Sequence, residues 1–396
     1  MKKIISAAAA VMMLLGTAAL PLKTPLPVGR IAAAAYSYQN YTYELLDDGT
    51  AEITGYNGSS EKAVTIPAAV DGRKVTSIGD YAFDDHDEIV SVTVPNTVTR
   101  IGSAAFNFCG SLSSIAIPSA VNDIGPDAFC GTPWLNSMRA KSPTVVINGM
   151  LVDGKTCQGS VTVPAGTKRI LPHAFSASDV TSVTIPDSVT EIGEYAFNIC
   201  GSLTDITLPD GLTVLGERAF FECHSLSSLR LPDSLRTVSE GLCEKCTSLS
   251  EVTLPKELTS IGDYAFIECE SLKSMTIPKS VASIGEKSVG YFFSYDTFEY
   301  EKVSGFTVSC YAGSAAEAYA KEKGFASVVS SDPAPLTVEP GDVNGDGYIR
   351  MVDLTDLQRY VNGWDVKIVT AGADVNSDGE INMKDITDLQ KLINSK

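Results

Sequence analysis

Short runs such as Ser114-Ile115-Ala116-Ile117, Asp205-Ile206-Thr207-Leu208 and Glu251-Val252-Thr253-Leu254 alternate polar and apolar residues and stop at a proline. A period of two predicts a strand with its apolar positions turned inward and the others on an open face. Around each run a longer unit recurs: apolar-x-apolar-Pro, an apolar-Gly step, Ala-Phe, and often Cys-x-Ser-Leu. One clear copy is Ile185-Pro186, Ile192-Gly193, Ala196-Phe197, Cys200 and Ser202-Leu203.

The apolar residue of the step falls at Ile78, Ile101, Ile124, Ile170, Ile192, Leu215, Val238, Ile261 and Ile284, with spacings of 23, 23, 46, 22, 23, 23, 23 and 23 residues. The interval of 46 is two periods, so the segment from Trp134 to Gln158 is expected to supply degenerate turns of the same coil. A unit this short cannot bury its own apolar face and must share a core with its neighbours. The predicted fold class is therefore a repeat solenoid with one short parallel strand per 23-residue turn, spanning 75–325.

The pattern Ile-x-Ile-Pro, Val-x-x-Ile-Gly, Ala-Phe-x-x-Cys and Ser-Leu resembles the BspA-like bacterial leucine-rich repeat family over about Tyr36 to Phe325. The resemblance includes an aromatic opening, Tyr38 to Tyr43, expected as part of a hairpin cap over 36–74, and a closing Tyr311 to Ala320 stretch expected as a capping helix. It implies adhesion or protein interaction, and says little about the ligand.

Charge removes some partners. A net charge of −18 repels phosphates, arguing against nucleic acid and anionic membranes. Met1-Lys2-Lys3, an apolar run from Ile4 to Leu20 and the small residues Ala32 to Ala35 read as a secretory signal over 1–35 with cleavage after Ala35, so a secreted protein is expected, free of the membrane once cleaved.

Within the repeats, Cys243-Glu244-Lys245-Cys246 has the form of a zinc or redox motif. The register gives another account: Cys200, Cys223, Cys246 and Cys269 lie 23 apart, and Cys243 falls where neighbouring turns have Phe197, Phe220 and Phe266. These cysteines are read as compact core residues. Cys109 holds the same slot, filled elsewhere by His86, Thr132 and Ser178. The outward strand positions Thr93, Ala116, Thr162, Thr184, Thr207, Arg230, Thr253 and Thr276 form a Thr-rich face without an aromatic platform or basic track. His173 is expected to be exposed. No catalytic constellation is evident. A polysaccharide hydrolase would require a site hidden between Trp134 and Lys168 or near Tyr291 to Tyr300.

A Pro/Ser-rich linker over 326–340 leads into a different module. Asp342, Asn344, Asp346, Tyr348 (by its carbonyl) and Asp353 occupy the ligand positions of a 12-residue calcium loop, with Gly347 at the sharp turn. Asp374, Asn376, Asp378, Glu380 and Asp385 repeat the arrangement 32 residues later, so two Ca2+ ions are expected. Position 9 is Arg350 in the first loop and Asn382 in the second. Each loop runs into a helix, with apolar stripes Leu354, Leu357, Val361 and Ile386, Leu389, Ile393 expected to pack together.

This module, over 341–396, resembles type I dockerins, small all-α domains with two F-hand loops that bind cohesin domains of cellulosomal scaffoldins. The resemblance implies cohesin-facing residues at Met351, Val352, Gln358 and Arg359, and at Met383, Lys384, Gln390 and Lys391. Together these readings imply a non-catalytic, secreted cellulosome component whose repeats bind protein or a surface. A polysaccharide-degrading enzyme, and an adhesin or spacer, are the alternatives.

Overall fold

The structure is a computed structural model that describes residues 35–330, 340–343, 349, 351–363, 366 and 368–395. The signal segment and the loop residues Asn344, Asp346, Tyr348 and Arg350 lie outside the described residues. The chain divides into two compact units, Met1–Cys200 and Gly201–Lys396.

In the first unit the strands Tyr36–Tyr38, Tyr41–Leu45 and Ala51–Tyr56 pair antiparallel, a three-stranded meander where a hairpin was expected. Its last strand pairs parallel with Arg73–Ile78 and so converts hairpin pairing into the repeat's parallel pairing. Tyr41 and Tyr56 close the end of the core on Phe83, with centroids 6.4 and 5.3 Å from the Phe83 ring.

From there the chain coils. Ala63–Thr65, Ser91–Thr93 and Ser114–Ala116 stack in register, Val64 beside Val92 beside Ile115, all three buried. Each turn adds a second, two-residue strand at the apolar-Gly step, as Arg100–Ile101 pairs with Asp123–Ile124. The same two columns run through the second unit, with Ser228–Arg230 on Glu251–Thr253 and Thr237–Val238, Ser260–Ile261 and Ser283–Ile284 in succession. All eight outward positions of the Thr-rich face are exposed.

The glycine of the step is required by close approach. A Cβ at Gly102 would lie 2.5 Å from the Asp80 amide nitrogen, and one at Gly285 would lie 2.5 Å from that of Asp263. The amides of Gly102 and Gly285 donate to the carbonyls of Ile78 and Ile261, both at 2.8 Å, which draws successive turns together. Two residues on, the backbone enters the left-handed region: Tyr81, Ala104, His173, Tyr264 and Lys287 have φ between 48° and 59°. That conformation is unfavourable outside glycine. It turns the Tyr81 amide onto the Ser103 carbonyl and the Tyr264 amide onto the Glu286 carbonyl, both at 2.9 Å, a stabilising bond one turn ahead.

The core is a column of phenylalanines. Phe83, Phe106 and Phe129 stack with centroids 4.9 and 5.9 Å apart, and Phe175 stacks on Phe197 at 4.9 Å. At about 1.5–3 kcal/mol for each buried ring, this column is a main source of stability. The Trp134–Gln158 segment departs from simple degenerate turns. It folds as helix α1 (Pro133–Lys141), capped by the Thr132 hydroxyl, followed by an antiparallel hairpin of Val145–Ile147 and Met150–Asp153. Met150 and Leu151 then pair parallel with Arg169 and Ile170, so the coil resumes in register. In the second unit, helix α2 (Ala315–Lys323) is capped by Ser314 and ended by Gly324 in the left-handed region. The strand Ala326–Ser330, in the stretch whose composition reads as linker, pairs parallel with Thr307–Tyr311.

Candidate functional site

The C-terminal residues form helix α3 (Met351–Val361), the short α4 (Thr370–Ala373) and α5 (Met383–Asn394). Val343, Leu354, Leu357, Ala373, Ile386 and Leu389 are their shared core, with Val361 and Ile393 packed at its edge. The two apolar stripes therefore face each other as expected. Val369 donates to the Val343 carbonyl and Gly341 to the Gly372 carbonyl, both at 2.8 Å, tying the start of the first loop to α4.

The two loops are related atom for atom where both are described. Val343 donates to Asp353 Oδ1 at 2.9 Å, and 32 residues on Val375 donates to Asp385 Oδ1 at 2.9 Å. Asp342, Asp353 and Asp385 are all buried. In the second loop Asp374 accepts from the amides of Asp378 and Gly379, Asn376 from Asp378, and Asp378 from Glu380, at 2.9 to 3.0 Å. Ser377 at φ 59° and Gly379 at φ 86° give the wrap its tight curvature. These bonds hold the side chains against the loop while leaving each carboxylate lone pairs to spare.

That donor set fits calcium. It is all oxygen, it carries four carboxylates within one loop (Asp374, Asp378, Glu380 and Asp385), and a buried carboxylate needs compensating charge. Bound there, a hard divalent cation would offset the repulsion among those carboxylates. Asp385 also shapes the helix that follows. Its Oδ2 accepts from Asn382 at 2.9 Å, while Asn382 Oδ1 accepts from Lys384 at 2.9 Å, a reciprocal cap on α5. Sequence spacing placed Asn382 at a ligand position, but its side-chain oxygen is used as the helix cap.

The partner-facing positions lie on the two long helices. Met351 and Val352 open α3, and Gln358 and Arg359 are exposed on its later turns, Arg359 3.8 Å from Asp356. On α5, Met383 is 61% exposed and Lys384 extends beside Asp378 at 3.6 Å. Gln390 is half-buried and donates to Asn394, and Lys391 pairs with Asp388.

Elsewhere the chemistry is structural. The cysteine slot is a hydrogen-bond position: Cys109 donates to the Phe83 carbonyl at 2.9 Å, Cys246 to that of Phe220 at 3.0 Å, and Cys269 to that of Cys243 at 3.1 Å. Burial pushes the Cys109 thiol up to about 12 and raises Cys243 and Cys246 as well. Such thiols are poor nucleophiles and poor metal ligands. His173 corrects an expectation: it is half-buried, stacked on Tyr195 with centroids 5.1 Å apart, and burial lowers its pKa. Near it, Asp127, Cys130, Asp153, Lys155 and His173 line a cavity of about 10 Å³, room for one water and too small for a sugar.

A family model described as BspA type leucine rich repeat region matches residues 55–179 and 168–297, in six copies. The chain belongs to that family. As a BspA-type protein it also carries a region, 340–394, that matches the dockerin type I domain. Type I dockerins bind calcium, and both matched domains are of non-catalytic kinds. Their pairing supports a binding role of the cellulosome type.

Among solved structures, a T. pallidum leucine-rich repeat protein is 26% identical, covering 60% of this chain and 90% of its own, with a TM-score of 0.27. A leucine-rich cell surface protein from Faecalibacterium prausnitzii is 24% identical over 77% of this chain and 97% of its own, TM-score 0.33. One from Eubacterium ventriosum is 21% identical, covering 69% and 98%, TM-score 0.35. Comparison with curated protein sequences gave no match.

Proposed function

We propose that this BspA-type protein is a non-catalytic, secreted component of a cellulosome-type assembly. Residues 341–396 bind the cohesin of a scaffoldin when calcium is present, and the repeats of 75–325 bind a protein or a surface. Two ions sit in the two loops, held by Asp342, Asn344, Asp346, Asp353 and the Tyr348 carbonyl, and by Asp374, Asn376, Asp378, Asp385 and the Glu380 carbonyl. Cohesin is met by Met351, Val352, Gln358 and Arg359, or by their counterparts Met383, Lys384, Gln390 and Lys391.

The observation that carries this reading is the match to type I dockerins over residues 340–394, joined to the repeated bond from Val343 to Asp353 and from Val375 to Asp385. Two equivalent half-sites suit an attachment device better than a calcium sensor, which needs a target groove that opens. The test is capture of the full chain on a panel of cohesins, with calcium and with chelator. Capture that is lost in chelator, and lost when Asp342 and Asp374 are both changed to Ala, is expected. Equal capture in chelator overturns the calcium requirement, and no capture on any cohesin overturns the tether.

A further inference from the structure

Between the strand Ser274–Thr276 and its partner Thr307–Tyr311 the register is 33 residues, Met275 lying beside Val308, where the other turns use 23. The additional residues form a two-stranded hairpin, Tyr291–Ser294 against Glu299–Lys302. Its turn is Tyr295-Asp296-Thr297-Phe298, with Phe298 at φ 56°. The corner residues Tyr295 and Phe298 are 75% and 76% exposed, more than any other large hydrophobic residue described. The first and fourth residues of a β-turn lie within about 7 Å of each other at Cα, so the two rings share one tip.

That tip is supported from below. Phe293 packs edge-on against both Tyr295 and Tyr300 with centroids 5.3 Å away, and the Lys287 ammonium sits 5.5 Å over the Tyr300 ring. Single exposed apolar residues need no explanation, but paired rings on a propped turn do. Neither ring contributes to the core, and leaving both in water costs free energy that packing does not return.

The polar groups around the rings select the ligand. Asp296 and Glu299 are exposed beside them, and Thr297 donates to Glu301 at 2.7 Å. Carboxylates at the rim, on a chain of net charge −18, repel phosphate, sulfate, anionic lipid and a second copy of the chain. They accept hydrogen bonds from hydroxyls. A neutral sugar ring offers an apolar face of C–H groups to an aromatic side chain and a rim of hydroxyls to those carboxylates, and it needs no groove. The strand faces lack such a platform, whereas this insertion supplies one.

We infer that the Tyr295–Phe298 tip is a glycan-binding platform that stacks on the sugar faces of a neutral polysaccharide, with Asp296 and Glu299 accepting from its hydroxyls. This rests on reading the repeat array as the binding half of the molecule, and it gives that half a location and a ligand class. The test uses the full chain and the Tyr295→Ala/Phe298→Ala double variant in native gels containing mixed-linkage glucan, xylan or mannan, with cellohexaose titrated by calorimetry. The wild-type chain is expected to be retarded by at least one of these. The double variant is expected to bind about tenfold or more weakly with an unchanged melting temperature, and Tyr295→Phe to retain binding. No retardation by any of the three, retardation equal in the variant, or a wild-type dimer on sedimentation that the variant abolishes each overturns the proposal. Cohesin capture measured on the same variants should be unchanged, so failure of the tip is separable from failure of the tether.

Discussion

A thiol that donates to a carbonyl in the preceding turn fills a slot and satisfies a buried acceptor at once. Removing Cys246 leaves the Phe220 carbonyl without that donor, so Cys246→Ala is expected to destabilise the repeats by about 1–3 kcal/mol in denaturant melts, and Cys246→Ser by less because its hydroxyl still donates. The same burial makes a reactivity prediction. Of the nine cysteines only Cys130 is less than fully buried, so a thiol reagent should modify at most that one in the native protein and the rest on unfolding. Three or more fast thiols would show that the ladder opens. Asp385 separates two roles in the same way. It accepts from Val375, Asn376 and Asn382, so Asp385→Ala should lower dockerin stability by about 1–3 kcal/mol even in chelator. Asp378→Ala should matter only when calcium is present.

At the scale of the element, each repeat turn is positioned by a glycine that lets one backbone rest on the next. Gly262 has the Glu240 amide nitrogen 2.7 Å from where a Cβ would stand, so Gly262→Ala must push two turns apart. A loss of several degrees in melting temperature is expected, larger than for an alanine at Gly201, where a Cβ meets nothing within 4 Å. Much of this element was legible in the sequence: the strand runs, the period, the facing stripes Leu354/Leu357 and Ile386/Leu389. The left-handed residues were not. Tyr81, Ala104 and Tyr264 share no side-chain type, because what places them there is a backbone bond to the following turn, invisible to any residue pattern. The helix α1 was missed for a related reason. Pro133-Trp134-Leu135 follows a capping Thr132, but the 46-residue spacing favoured two ordinary turns over a helix and hairpin of equal reach.

For the whole molecule, the proposed division of labour predicts separable responses. Calcium at a hundredfold excess over its dissociation constant would add about 2.7 kcal/mol to the module that binds it, so chelation should lower one calorimetric transition and leave the transition of the repeats in place. A single transition that moves as one with calcium would contradict that division.

The sequence by itself determined the architecture and the attachment chemistry. A repeat of 23 residues must stack to bury its apolar side, and oxygen donors at loop spacing select a hard cation wherever they fold. Only the tertiary structure decided which of these residues serve a ligand and which serve the chain. It turned the Cys-x-x-C motif into core and hydrogen bond, made Asn382 a helix cap and half-buried His173. It also set Tyr295 and Phe298, which look like any other aromatics in the sequence, on an exposed turn. Burial and hydrogen-bond partners are properties of neighbours brought close by the coil, and a linear pattern does not name those neighbours.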